Sequence, residues 1–354
     1  MQETNLHYHQ LALLWYLARF NLLHYEDCLE MLKTPEKTGR KELSYAFRPL
    51  TKNGYVSKGK DGCVSILAKG RALYPEVTPL ISTGGGERER KRVMQVSRMA
   101  MWMAGHGFPA EEAPGKQIVF IPSARWRNIA PGILSTSRFV GMLVGCGHRL
   151  AVYDIGDGRM DWQIRAENSL FYTKYGSYET RATGMLLVCQ EDKREEVAEN
   201  IIRQTMWSRK QLLKEHCAER NRPVRWSRSP IKLRAQYEHV YLTTRSRIGK
   251  SFLYIMKEEN RAKGMREEAG RWVSVPDGAD IELWPRRLYL NTATDLLKYV
   301  RFFAAVKDDT RLRQENEHYN GEIQYELYAR VEDGAIAHMY PDVNEAEGVV
   351  FHVY

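Results

Sequence analysis

No apolar run in this sequence approaches the roughly eighteen residues that a membrane-spanning helix requires. The longest apolar stretches, Phe139–Val144 and Gly184–Cys189, have the length of strands. The opening segment MQETNLHYHQ has no basic stretch followed by an apolar one, so a secretion signal is not expected there. Cysteine is scarce. Cys28, Cys63, Cys146, Cys189 and Cys217 are odd in number, scattered, and include no CxxC pair. That excludes a zinc ribbon and a disulfide framework. Cys63, Cys146 and Cys189 sit in apolar contexts and are expected as buried reduced thiols. A cytoplasmic protein with no membrane attachment is the expectation.

Motifs for catalysis and cofactors are also missing. There is no Gly-x-Ser-x-Gly elbow and no Cys/His pairing. Arg247-Ile248-Gly249-Lys250-Ser251 ends like a phosphate loop, but Thr244 stands where the first glycine is required. His7 and His9 lack the partner Cys or carboxylate spacing of a metal site. No cofactor and no metal are therefore expected.

What the chain does have is enough length and apolar content to fold. Its 354 residues suggest two or three domains, and 43% hydrophobic against 27% charged residues argues against disorder. Lys plus Arg exceed Asp plus Glu by 53 to 44, giving a net charge of +9 that is unevenly spread. The expected class is α+β. It comprises a first domain over 1–80, a linker and connecting helix over 81–115, and a mixed α/β domain over 116–354.

The first 80 residues carry the clearest organisation. Leu11, Leu14, Tyr16, Leu17 and Phe20 recur at helical spacing and predict a helix over Tyr8–Leu23. A second helix is expected over Tyr25–Leu32. A third is expected over Arg40–Asn53, kinked or shortened by Pro49 and stopped at Gly54. Tyr55–Lys58 and Cys63–Leu67 flank a Gly-rich turn and predict a hairpin, followed by a helix start at Ala68–Leu73. Three helices, a hairpin and a last helix make a winged helix-turn-helix. Such a fold would present Arg40, Lys41, Ser44, Tyr45 and Arg48 to the DNA major groove. Lys58 and Lys60 would sit in the wing, and Lys69 and Arg71 would hold phosphate. The other reading of this segment is a protein-interaction or dimerisation module, since fold alone does not fix function.

Beyond it, Thr78–Arg92 reads as a connection with a Gly84–Gly86 triplet, leading to a helix over Val93–Gly105. Strands are expected at Ile118–Pro122, Phe139–Val144, Arg149–Ile155, Met160–Arg165, Met185–Cys189 and Val240–Thr243. A polar helix is expected over Lys193–Glu215 and another over Thr294–Val306. The chain end, Ile323–Val331, Ala335–Tyr340 and Val349–Tyr354, reads as β-rich. The sheet is expected to begin as a three-strand meander covered by helices.

The run LTKNGYVSKG, with CVSILAKGRALYP after it, resembles the ends of many bacterial winged-helix domains. Followed by SRFVGMLVGCGHRLAVYDIGDGRMDWQIRAE, it resembles the replication-relaxation family of plasmid and conjugative-element proteins. The resemblance implies a degenerate restriction-endonuclease-like second domain. It also implies an accessory role beside a relaxase at a transfer origin, or in replication. A nuclease of that fold needs metal-holding carboxylates and a lysine. Asp154, Asp161 and Glu167 are spaced tolerably, but Gln163 stands at the lysine position, and Asp154 and Asp157 beside glycines also suit a simple turn.

Charge adds a second candidate. Arg203–Lys250 holds thirteen Lys and Arg against three Glu, interleaved with Trp207, Trp226 and Tyr237. Such a segment favours a polyanion, with Arg222, Arg225 and Arg228 as phosphate contacts. Lys307–Glu347 has eleven Asp and Glu against four Lys and Arg, which suits a basic protein such as a relaxase, an internal cover for the basic segment, or a homodimer. The functional expectation is a non-catalytic accessory protein that binds double-stranded DNA. A winged-helix transcriptional regulator with a dimerising or ligand-sensing second domain, a metal-dependent nuclease and a pure scaffold remain as alternatives.

Overall fold

The computed structural model describes residues 6–79, 86–105, 118–123, 125–126, 139–145, 147–156, 182–206, 239–255, 257–258, 279–283, 285–315 and 323–353. It is a mixed α+β protein that divides into two compact units at Gly147/His148. Among the described residues no helix is long and apolar enough to cross a membrane. The strand Met160–Arg165 expected from the sequence, residues 107–115, and the second half of the helix expected to Glu215 lie outside the described residues.

In the first unit, helix α1 (Tyr8–Phe20) buries Leu13, Leu14, Leu17 and Phe20. It stops at Asn21, whose left-handed φ of 66° ends the hydrogen-bond ladder. The chain then enters strand β1 (Leu22–His24), so the helix expected to Leu23 is three residues shorter. Leu22 and Leu23 keep the apolar pattern but serve a sheet, which periodicity alone does not separate from another helical turn. Helix α2 (Tyr25–Met31) follows, with Glu26 and Asp27 in its first turn.

Helix α3 (Arg40–Lys52) starts at Gly39, whose N–H donates to Glu42 Oε2 at 3.3 Å. It runs past Pro49 to Lys52, so the expected shortening does not occur. Leu43, Phe47 and Leu50 bury one face, and this packing outweighs the donor that proline removes. Strands β2 (Val56–Lys58) and β3 (Cys63–Ile66) form the expected hairpin, and β1 adds to β3 to give the order β1-β3-β2. The short helix α4 (Ala68–Arg71) closes the segment.

Helix α5 (Glu87–Gly105) starts earlier than expected and absorbs the charge run Glu87–Arg92 into a helix. Its Met101 joins the core formed by Leu17, Leu29, Phe47 and Leu50. Arg98 Nε lies 2.7 Å from Asp27 Oδ2, which ties α5 to α2. Strands β4 (Ile118–Pro122) and β5 (Phe139–Gly145) pair antiparallel.

In the second unit, β6 (His148–Gly156), β7 (Gly184–Cys189) and β8 (His239–Thr244) lie side by side and parallel. They are nearly all buried, as expected for parallel strands covered on both faces. Among the described residues β6 continues not into a meander but into this parallel array. Helix α6 (Arg194–Met206) follows β7. Residues 248–255 are helical.

A second sheet has the order β12-β11-β10-β9, from β9 (Ile281–Leu283), β10 (Arg286–Asn291), β11 (Gln324–Ala329) and β12 (Val349–Val353). Only β9–β10 is antiparallel; β10–β11 and β11–β12 are parallel. Between β10 and β11 runs α7 (Leu296–Glu315), which extends well past the expected end at Val306. Ala335–Tyr340 is not a strand. It falls in the short helix α8 (Gly334–Ala337) and the turn before α9 (Pro341–Asn344), where a parallel connection must cross back over the sheet.

Gly70 of α4 is required by close approach. A Cβ there would stand 2.5 Å from the Tyr55 carbonyl oxygen and 2.9 Å from Ile66 Cγ1. Gly70→Ala is expected to destabilise the first unit by about 1–3 kcal/mol, the range for overpacking. Urea unfolding of the variant beside wild type checks this; equal midpoints would refute it.

Candidate nucleic-acid interface

The α3 face opposite the core is the best-defined candidate surface. At 3.6 residues per turn, Leu43, Phe47 and Leu50 point one way, and Lys41, Tyr45, Arg48 and Lys52 point the other. All four of the latter are exposed, with Tyr45 at 58%. The core packing therefore dictates the outward stripe. Lys41 and Arg48 have no carboxylate partner among the described residues, so their charge faces solvent unneutralised.

A concavity of about 650 Å³ lies beside this stripe. It is lined by Tyr25 of α2, by Arg40, Lys41, Ser44, Tyr45, Phe47, Arg48 and Thr51 of α3, and by Lys58 of β2. Tyr25 organises its wall. Its hydroxyl donates to Ser44 Oγ at 3.1 Å, its ring meets Phe47 edge-on at 5.1 Å, and Lys58 Nζ sits 3.2 Å from the ring centroid. A cation over an aromatic face is held by the ring quadrupole. Arg40 is 2.6 Å from Glu26, but its side chain stays 75% exposed, so this pair is weak.

Six of the residues expected from sequence thus converge: Arg40, Lys41, Ser44, Tyr45, Arg48 and Lys58. Lys60 is exposed in the hairpin turn and does not line the concavity. Lys69 Nζ lies 4.7 Å over the Tyr55 ring, away from that lining. Arg71 also lies away from that lining. It donates to Ala18 O at 3.3 Å and to Asn21 Oδ1, fastening α4 to the end of α1. Arg222, Arg225 and Arg228 lie outside the described residues. Sequence reasoning missed Tyr25, Phe47, Thr51 and Lys52. The i, i+4, i+7, i+11 spacing from Lys41 to Lys52 was a usable signal for the last.

The second unit gathers polar groups at the carboxyl ends of its parallel strands, where open α/β sheets usually present their sites. Asp154, near the end of β6, is bound by Arg245 Nη2 at 3.0 and 3.2 Å through its two oxygens and accepts the Gly156 N–H at 3.3 Å. Glu191, after β7, accepts from Thr244 and Ser246. Arg247 spans from Glu191 at 3.7 Å to Glu332 at 2.9 Å. Arg194, at the start of α6, donates to Asp333, to Glu332 O at 2.8 Å and to Thr294 Oγ1 at 3.0 Å. Each acid here is matched by an arginine or hydroxyl. Among the described residues no group of three ligands fit for a metal is found. Asp161 and Glu167, the other acids of the nuclease reading, lie outside them.

Thr294 sits in this network with φ of 58°, a strained value for a β-branched residue. Its hydroxyl donates to Asp333 Oδ2 at 2.8 Å, and its carbonyl accepts the Leu242 N–H at 3.0 Å. Next to it, fully buried Asp295 accepts from Val240 N and Leu297 N at 3.0 Å and contacts His239 Nδ1 at 2.7 Å. Burial alone would raise the Asp295 pKa. The bond and charge of His239, then Lys298 and the Val240 N–H, outweigh it and hold the carboxyl at about 2. Burial likewise lowers the His239 pKa, but Asp295 outweighs that and leaves it raised.

No protein family, curated protein or solved structure matches this chain.

Two outcomes are expected from the second-unit network. Asp333→Ala strands buried Arg194 and should cost about 3–5 kcal/mol in chemical denaturation, as for one partner lost from a buried pair; a change within error would show the pair is dispensable. The His239–Asp295 contact is pH-dependent. A raised histidine pKa means its contribution is complete below about pH 6.5 and is lost as pH rises through the folded-state value. The depressed Asp295 pKa means its contribution is lost as pH falls below about 4 towards 2. His239→Gln should therefore lower Tm most under mildly acidic conditions and converge on wild type in alkali. A melting series across pH that shows a uniform offset would refute this.

Proposed function

We propose that this chain is a non-catalytic, DNA-binding accessory protein in which residues 6–79 act as a winged helix-turn-helix. In this reading α3 is the recognition helix and β2–β3 is the wing. The observation that carries it is the outward stripe of α3, with Lys41 and Arg48 unneutralised and Arg40 and Lys58 beside them. Unpaired cations on one helix face, rising from a rigid core, are what phosphate contact requires. Helix order and hairpin position agree with the docking geometry of such domains.

The non-catalytic part of the reading is supported by Asp154, whose carboxylate is committed to Arg245 and Gly156. A degenerate restriction-endonuclease-like second domain fits that commitment. The setting in a plasmid or conjugative element, with a relaxase as partner, rests on the family resemblance.

Fluorescence anisotropy with labelled duplex DNA over a salt series tests the reading. Wild type should bind with a steep salt dependence. Lys41→Ala/Arg48→Ala should weaken binding and reduce the salt slope by about 2, near one per lost phosphate contact. Arg71→Ala should leave the slope unchanged while lowering Tm. Absence of duplex binding at low salt would overturn the proposal and assign the α3 face to a protein partner.

A further inference from the structure

We propose that the α3 face holds a nucleobase left unpaired beside duplex DNA, stacked on Tyr45, and so directs the protein to interrupted rather than continuous duplex. The inference rests on the DNA-binding reading above and names the form of DNA.

Base edges in the major groove are read chiefly by polar tips that make directed hydrogen bonds. The centre of the α3 stripe instead holds an aromatic ring. Tyr45 is 58% exposed and has no ring neighbour among the described residues. An aromatic side chain placed in water on a helix with a strong core forgoes a large apolar burial. Its flanks are cationic: Lys41 lies one turn before it and Arg48 one turn after. With a rise of 1.5 Å per residue, these two are separated by about 10 Å along the helix axis. Both are long side chains with exposed charges that can reach phosphates on either side of a base stacked on Tyr45.

Space for the base is also present. The concavity beside Tyr45 is shallow and open, leaving a base stacked on the ring in contact with solvent on one side. Phe47 and Tyr25 supply apolar lining, and Ser44 and Thr51 supply hydroxyls that suit a base edge without selecting one base. An aromatic platform between cations is the arrangement that binds unpaired nucleotides with little sequence preference. Charge complementarity favours a nucleic acid over an apolar protein segment, because Arg40, Lys41, Arg48 and Lys58 all border the concavity.

The test uses the full chain and three probes carrying 2-aminopurine. One is a duplex with a single unpaired 2-aminopurine, the second is the same duplex fully paired, and the third is the isolated strand. The unpaired probe should bind at least about fivefold tighter than the paired one, and its 2-aminopurine emission should change on binding as the base stacks. Tyr45→Ala should abolish that preference, a loss of about five- to a hundredfold, while Tyr45→Phe should retain it. Tyr45 is exposed, so neither change threatens the core; unchanged Tm for both variants checks this. Equal binding of paired and unpaired probes, or a preference that survives Tyr45→Ala, would overturn the inference and leave DNA binding standing. No binding of any probe would overturn both.

Discussion

The seam of Leu43, Phe47 and Leu50 against the core of the first unit is the constraint on which the functional surface depends. A helix has one buried stripe, and fixing it fixes the opposite one. Lys41, Tyr45, Arg48 and Lys52 are therefore not merely exposed; they are aimed. The surrounding contacts refine the aim. Tyr25 bridges α2 to Ser44 and to the Lys58 ammonium, so helix, neighbour and hairpin share one wall. Arg71 does the matching job behind, joining α4 to the end of α1 through Ala18 and Asn21.

The second unit is organised by a different force. Its strands are parallel and buried, so the polar groups at their ends must find partners or be desolvated at a cost. Arg194, Asp333 and Thr294 meet that demand in one place, and Asp295 and His239 meet it in another. Thr294 tolerates its left-handed backbone because Arg194, Asp333 and Leu242 hold it. Strain of this kind persists only where the surroundings over-determine the conformation. The same saturation engages both oxygens of Asp154 with Arg245, the opposite of a carboxylate held open for a metal.

Much of residues 6–79 is legible in the sequence because apolar spacing and turn residues are local signals. Apolar spacing locates α1, α2 and α3, and the Gly59–Gly62 turn locates the hairpin. The departures there have one cause. Local propensity favours helix at Leu22–Leu23 and a break at Pro49, and tertiary pairing overrides both. For the site, six of the residues chosen from helix position converge on one concavity. Arg71 contacts the end of α1, a partner 50 positions away that no local pattern announces. In the second unit the sequence locates the strands but not their direction. An apolar run such as Met185–Cys189 signals a strand buried on both faces but not which strands it pairs with. Ala335–Tyr340 has a strand's apolar content for its length, yet forms a helical crossover. The ion-pair network joins Arg194 to Asp333, 139 positions apart, and no local pattern announces such a pair.

Parallel strands also have a kinetic consequence. Strand β7 cannot complete its pairing with β8 until some fifty further residues have been made, since Gly184 aligns with His239. Long-range pairing of this kind is slow, because loop entropy is spent before the contacts form. The β1-β3-β2 sheet waits for less: its strands close within residues 22–66. During synthesis the first unit emerges first and folds as a unit. The α3 surface would thus take shape, once α5 has been made to complete its core, before β7 and β8 can pair.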